Sequence, residues 1–488
     1  MPGLTRRELL AGAAAASALS GAASQRKPNV LLIMTDQHRS DVIGAYGNPV
    51  IRTPNLDRLA ADGTRFRNCW TQHPVCMPSR ASIFTGRYPN AHRVRTNGVR
   101  LPEYEVTLAK HLRANGYRTF GAGKFHFIPH FEGKLPLMEN HPEPYYGFEE
   151  FHIGEDARRG EHRVWLEREH PDFADKPDHL LPHELHNTGW VRDHAIDFLR
   201  RAATRPEPFF AFASFVDPHH PYDPPSPYNE MYKEKDVPPP MVRPGELDDK
   251  PPFIRAISES QRRVYARSGY HRTQYYGEVT FADDAIGRIL KTLDDLKLRE
   301  NTLVIFTADH GDLLGDHFLF YKGQYHFRQC ASVPLIVNWP GVVRSGQVID
   351  GIVQEIDLFP TIMDLAGLSN SPGVQGRSQR AVLTGSGSGT GYDSALIEHG
   401  ISGASLPAAE KLDNRVPDVW TLVTPEWRIS YSPRSETGQL YDLSADPNEF
   451  VNRWSDPKMD AVRERLTRQL LDRVLEAHDP LPVRELPY

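Results

Sequence analysis

Several stretches of the chain are continuous apolar runs that break off abruptly into polar, chemically able residues. Asn29 to Thr35 is such a run and stops at Asp36-Gln37. Pro208 to Val216 stops at Asp217-Pro218-His219-His220-Pro221, and Thr302 to Phe306 leads to Asp309-His310-Gly311-Asp312. A shorter run, Tyr117 to Ala122, leads into Gly123-Lys124-Phe125-His126. Uninterrupted apolar runs of this kind predict strands buried on both faces of a parallel sheet. Between them the helical period predicts helices over Asn55 to Asp62, Thr107 to Asn115, Trp190 to Ala202 and Tyr270 to Leu296. Strands alternating with helices predict an α/β fold, with a large mixed, mostly parallel sheet sandwiched by helices.

The pattern changes after Val333 to Val337 and a helix near Asp357 to Ala366. Ser369 to Tyr392 is rich in Gly and Ser, and beyond it Trp420 to Val423, Trp427 to Tyr431 and Gln439 to Leu443 read as short antiparallel strands. A helix over Asp460 to His478 closes the chain, giving a smaller C-terminal α+β subdomain. The expected boundaries are 1–24 for a leader, 25–370 for the catalytic α/β domain and 371–488 for the C-terminal subdomain. Two irregular segments, His126 to about Asn187 and the Pro-rich Pro218 to Ile257, read as insertions over one edge of the sheet that build a substrate pocket or lid.

Composition narrows the function. The chain has 488 residues and a formal net charge of -6, which calls for neither nucleic acid nor an anionic membrane surface as partner. The leader carries Arg6-Arg7 before an Ala-rich, weakly apolar run to about Ala23. That is the layout of a twin-arginine export signal, and the run is too short for a membrane span, so a periplasmic or secreted location is expected. Cys69, Cys76 and Cys330 form no disulfide framework, although Cys69 and Cys330 could pair in an oxidising compartment.

In an open α/β sheet ligands bind beyond the carboxyl ends of the strands, which is where every polar cluster of this chain falls. Asp36, Gln37, Asp309 and His310 supply carboxylate, amide and imidazole, a set suited to a hard divalent cation. Calcium or magnesium fits the oxygen donors, and His310 keeps manganese or zinc in play. Arg80, Lys124 and Lys322 can neutralise a tetrahedral oxyanion, while His126 and His219 can move protons. Lys124 and His126 lie two apart, so an extended segment would point both to one side. The densest stretch is Cys76-Met77-Pro78-Ser79-Arg80, a small nucleophile beside a fixed cation, followed by Thr85-Gly86-Arg87. Its plain alternative is a buried cysteine ahead of a helix over Ser79 to Phe84.

That stretch resembles the signature of the sulfatase family, members of the alkaline-phosphatase-like superfamily. The resemblance extends to Asp36-Gln37, Gly123-Lys124-Phe125-His126, Pro218-His219-His220-Pro221, Asp309 to Asp312, Lys322-Gly323, and Leu440 to Leu443 with Asp446 to Glu449. It spans roughly Asn29 to Trp454. It implies that Cys76 is oxidised after translation to formylglycine by a formylglycine-generating enzyme. It implies further that Asp36, Gln37, Asp309, His310 and the modified Cys76 bind calcium, with magnesium or manganese as alternatives. Arg80, Lys124, His126, His219 and Lys322 would then surround the sulfate of a small molecule or glycan. Gln37 stands where many sulfatases have Asp, and His310 where many have Asn. The same choices occur in relatives that cleave phosphonate monoesters and phosphodiesters. Ser332 replaces an arginine common in the family.

The expected activity is hydrolysis of sulfate monoesters through a formylglycine hydrate and a divalent metal. Lys322 or His219 would assist the leaving alcohol, His126 would deprotonate the hemiacetal, and Arg80 would orient the hydrate. A phosphonate monoester or phosphodiester hydrolase on the same scaffold is the alternative. A non-catalytic binder of sulfated glycans needs cations but not the whole Cys, metal and Lys/His assembly.

Overall fold

A computed structural model of the protein describes residues 27–129, 141, 142, 144–156, 160–400, 418–433 and 438–482. The expected export signal lies outside the described residues. Among the described residues, twelve strands form two sheets. The large one uses β1 (Asn29–Thr35), β2 (Thr64–Trp70), β3 (Arg118–Gly123), β4 (Glu150–Ile153), β5 (Phe209–Phe215), β6 (Thr302–Ala308), β7 (Ser332–Asn338) and β8 (Gln347–Gln354). Their order across the sheet is β4-β3-β5-β1-β6-β7-β2-β8. Only β7 runs against its neighbours, pairing antiparallel with both β6 and β2, while every other pair is parallel.

The continuous apolar runs sit at the centre for a plain reason. All residues of β1, β5 and β6 are buried, because helices cover both faces. The helices that frame the site are α1 (Pro54–Ala61), α2 (Cys76–Thr85), α3 (Leu108–Ala114), α4 (Asn187–Ala202), α5 (Ser268–Asp295), α6 (Leu358–Leu365) and α7 (Asp460–Glu476). Val30, Leu32 and Met34 of β1 pack on the side of Met77, Ala81 and Phe84 from α2. The alternate residues Leu31 and Ile33 pack on the side of Val191 from α4 and Ile286 from α5. The period of two along a strand thus divides one apolar run between two layers.

Helix α2 begins at Cys76 itself and ends at Thr85, longer at both ends than the expected Ser79 to Phe84. Gly86 stops it in the left-handed region, φ 65°, with its N–H on the carbonyl of Ser82. A Cβ at Gly86 would come within 2.9 Å of Phe359 Cβ, so only glycine fits this turn.

The small sheet has the order β12-β11-β10-β9, from β9 (Ala395–His399), β10 (Val419–Val423), β11 (Trp427–Tyr431) and β12 (Gln439–Asp442). It is antiparallel throughout. Leu466 and Leu470 of α7 close one face against Leu422, Ile429 and Leu440. Cys69, Cys76 and Cys330 are all free and buried, so Cys69 and Cys330 do not pair. Among the described residues, no helix is long and apolar enough to cross a membrane.

Candidate active site

Strands β3, β5, β1 and β6 lie side by side, and each delivers functional groups from its carboxyl end. β1 runs out into Asp36 and Gln37, β6 into Asp309 and His310, β3 into Lys124 and β5 into His219. The amino end of α2 brings Cys76 to the same edge. Asp36, Cys76, Asp309 and His310 each offer one ligand atom, and these atoms lie within 4.8 Å of one another, all buried.

Their orientations are fixed by hydrogen bonds. His310 Nδ1 donates to the carbonyl of Gly311 at 3.0 Å, so Nε2 carries the lone pair, 3.2 Å from Cys76 Sγ. Burial and the nearby Lys322 lower the His310 pKa, which keeps the ring neutral, as a metal ligand must be. Asp309 Oδ1 accepts the backbone N–H of Gln37 and of His310, each at 3.0 Å. Two buried carboxylates, a neutral imidazole and position 76 therefore fit a divalent cation. Gln37 follows Asp36 at the same strand end. Its backbone is left-handed, φ 61°, its amide oxygen accepts from Lys322 Nζ at 2.5 Å, and its amide nitrogen donates to Asp312 Oδ2.

The two carboxylates are held by buried cations. Arg80 Nε donates to Asp309 Oδ2 at 2.7 Å and Nη2 to Asp36 Oδ2 at 3.0 Å, while Nη1 reaches Ser214 Oγ at 3.0 Å and the carbonyl of Lys124. Its fork thus joins the ends of β1 and β6, as a planar guanidinium can and an ammonium cannot. Lys124 Nζ lies 2.8 Å from Asp36 Oδ2 and 3.9 Å from Cys76 Sγ, and it also pairs with Asp156. Burial raises the pKa of Asp36, but Lys124, His219, Arg80 and Lys322 outweigh it and hold the carboxyl well below its usual range. Burial and the Asp36 charge push the Cys76 thiol up to about 12, although Lys124 and Lys322 pull the other way. As a thiol, Cys76 is a poor nucleophile at neutral pH.

His219 donates Nδ1–H to the carbonyl of His220 at 2.7 Å, and burial with Lys322 and Lys124 holds its pKa well below the usual value. It is a neutral ring with an accepting Nε2. His126 reaches the site by a turn, not the extended segment its spacing from Lys124 predicts. Its φ is 55°, and its backbone N–H donates to Glu155 Oε1 at 3.0 Å. Both Lys124 and His126 act on Asp156, holding its carboxyl well below the usual range against the effect of burial. The two residues thus share Asp156 through a turn and not through an extended segment.

Sequence reasoning missed Glu155 and Asp156, which lie in an irregular insertion with no motif around them. It also missed Ser79 and Ser214 as supports. Ser79 Oγ donates to the Asp309 carbonyl at 2.6 Å and lies 3.1 Å from Glu355 Oε2. The Oγ of Ser332, where the family commonly has arginine, is buried and makes no hydrogen bond to the described residues.

A mostly parallel sheet with acids, imidazole and cations at its carboxyl edge, closed by a small antiparallel sheet, defines a member of the alkaline-phosphatase-like superfamily. Within it the sulfatase family model matches residues 28–368, and that of the N-sulphoglucosamine sulphohydrolase C-terminal region matches 315–476. The chain belongs to the sulfatase family. It is 31% identical to the arylsulfatase of Clostridium perfringens, over 91% of this chain and 94% of that protein. It is also 31% identical to the multifunctional alkaline phosphatase superfamily protein PehA of Trinickia caryophylli, over 89% of this chain and 93% of that one. Among solved structures, the phosphonate monoester hydrolase of Agrobacterium radiobacter superimposes with a TM-score of 0.82 at 27% identity, covering 93% of this chain and 97% of that chain.

Proposed function

We propose that the protein hydrolyses sulfate monoesters to an alcohol and inorganic sulfate, with Cys76 converted to formylglycine as the nucleophilic position. The observation that carries this reading is the burial of Cys76 Sγ between metal-type ligands and Lys124, 3.2 Å from His310 Nε2 and 3.9 Å from Lys124 Nζ. A thiol pushed up to about 12 gains little there as itself. As a precursor it sits where a hydroxyl nucleophile is needed.

Asp36, Asp309, His310 and the modified position 76 would hold a divalent cation, calcium by the oxygen donors, with magnesium or manganese as alternatives. That cation would supply Lewis acidity and lower the pKa of the attacking hydroxyl. Hydrated formylglycine would supply one hydroxyl for attack on sulfur and a second whose deprotonation releases the product. Arg80 fixes Asp36 and Asp309 and balances their charge. Lys124 places its ammonium beside position 76, where it offsets the sulfate oxygens that otherwise repel an anionic nucleophile. Of the two groups that could assist the leaving alcohol, Lys322 Nζ is a hydrogen-bond donor facing the strand ends through Gln37 Oε1. His219 offers an acceptor, with its Nδ1–H committed to His220. His126, anchored through Glu155 beside Asp156, is the base for the second hydroxyl.

Phosphonate monoester or phosphodiester hydrolysis is a second reading, favoured by Gln37 and His310 at the metal end. The likeness to the Agrobacterium radiobacter hydrolase supports it too. The leader supports a periplasmic or secreted location, and maturation would require a formylglycine-generating enzyme. Mass spectrometry of the Cys76 peptide from the native host tests the modification, since an intact thiol there removes the nucleophile. Turnover of 4-nitrophenyl sulfate, a phosphodiester and a phosphonate monoester by one preparation ranks the esters.

A further inference from the structure

The loop after β5 and the loop that bears Lys322 meet through rings. His219 and His220 stack with centroids 4.2 Å apart and planes 22° from parallel. The His220 ring meets that of Tyr321 at 4.4 Å and 47°. The row begins at one residue of the leaving-group machinery, His219, and ends beside the other, Lys322. Tyr321 is half-buried, and its hydroxyl donates to no protein atom among the described residues.

Its backbone is also unusual. Tyr321 holds φ 64°, a region that costs a ring-bearing residue energy, and the N–H is fixed at 3.0 Å from Asp312 Oδ1. One side of the ring packs against the cluster of Tyr222, Tyr275 and Leu314. Here strain and partial exposure hold an amphipathic ring at the edge of the site. The ring's own neighbour, Lys322, reaches Gln37 Oε1 at 2.5 Å and so faces the strand ends.

We propose that Tyr321, backed by His220, forms the subsite for the alcohol part of the ester, and that it selects alcohols whose sulfate-bearing oxygen is attached to a ring. This rests on the hydrolase reading above and names the substrate class of that site. The leaving oxygen must lie near Lys322, so the group attached to it extends along Tyr321. A planar aromatic ring or the apolar face of a pyranose lies flat on such a surface, while a short acyclic alcohol leaves it uncovered. The phenol hydroxyl at the rim serves a ring that carries hydroxyls of its own.

The test uses the enzyme with position 76 oxidised, on 4-nitrophenyl sulfate, glucose 3-sulfate and ethyl sulfate. Tyr321→Asn suits the left-handed backbone and removes the ring, and Tyr321→Phe keeps the ring alone. The expected result for Tyr321→Asn is a fall of about tenfold in kcat/KM for a cyclic ester relative to ethyl sulfate, carried by KM. Tyr321→Phe should keep the aryl preference. Loss of glucose 3-sulfate turnover in this variant would show that the hydroxyl is needed to hold a pyranose on the subsite, and its retention that the ring face alone holds it. Equal losses on all esters, or an unchanged ratio in Tyr321→Asn, would overturn the subsite while leaving the hydrolase intact. Wild-type enzyme inactive on every sulfate ester would overturn the hydrolase reading, and the subsite with it.

Discussion

The hydroxyl of Tyr222 donates to Asp312 Oδ2 at 2.5 Å, across a separation of 90 residues. The same oxygen accepts the side-chain amide of Gln37, and the other accepts Leu314 N–H at 2.7 Å and Tyr321 N–H at 3.0 Å. One buried carboxylate thus ties the end of β1, the loop after β5 and the Lys322 loop to the end of β6.

Replacing that carboxylate by an amide should therefore disturb all of them at once. Asp312→Asn keeps the size but turns an NH2 group toward two donors. The expected cost is on the order of 1–3 kcal/mol for buried donors left without an acceptor. Tyr222→Phe removes only one partner and should cost about 1 kcal/mol. Thermal unfolding of the two variants gives the order, and a milder effect in Asp312→Asn than in Tyr222→Phe would contradict the shared role.

Arg80→Lys tests the fork between the strand ends. A lysine reaches one carboxylate and leaves the other without its partner. Breaking a fully buried pair costs on the order of 3–5 kcal/mol. Loss of a group that orients metal ligands lowers metal affinity about 10–100-fold. Calorimetric unfolding and metal titration both report on this variant, and wild-type metal affinity in Arg80→Lys would remove the orienting role.

Calcium should stabilise the oxidised protein through Asp36, Asp309 and His310. At one hundred times its Kd, a ligand bound only by the folded state adds about 2.7 kcal/mol. Asp309→Asn, which weakens the donor set, should lose most of that increment. A melting temperature that ignores calcium, magnesium and manganese alike would sink the metal assignment.

A pH prediction comes from the far edge of the sheet. His152 of β4 lies 3.8 Å from Glu150 and 3.5 Å from Glu161. Burial lowers its pKa, but the two carboxylates win and raise it to about 9. A histidine raised in this way stabilises the fold fully below its unfolded pKa of about 6.5, and the gain is lost as pH rises through about 9. His194, whose ring stacks on His152 at 3.9 Å, is held down to about 4 by burial and by that neighbour. NMR titration should show the two rings changing charge far apart, and His152→Gln should flatten the alkaline decline in stability. Coincident titration near 6.5 would refute the pairing.

The sequence made the centre of the molecule readable and its margins obscure. β1, β5 and β6 stand where their apolar runs predict because burial on both faces leaves no polar alternation to confuse the pattern. Thr64 to Trp70 was not readable as a strand. Its Arg65, Arg67 and Asn68 interrupt the pattern, and its register shifts between Phe66 and Cys69. Glu150–Ile153, an edge strand with three partly exposed residues, was hidden for a similar reason. In the site, residues carried by strand ends were legible, since topology brings such ends together. Asp156 was not, because only the folded insertion brings its carboxylate to Lys124. The turn at His126 was likewise invisible, since spacing alone gives no φ.

All ten residues of α2 are buried, and Cys76 is 1% exposed. On the proposed modification, an enzyme would have to reach the thiol, and the finished protein does not present it. Oxidation of Cys76 would therefore have a deadline: it would have to precede the closure of β1 and β6 over the helix. A chain that folded first would be locked as a stable but inert thiol form, and the ratio of active to inactive molecules would then be decided during biosynthesis, by a race between an enzyme and a fold.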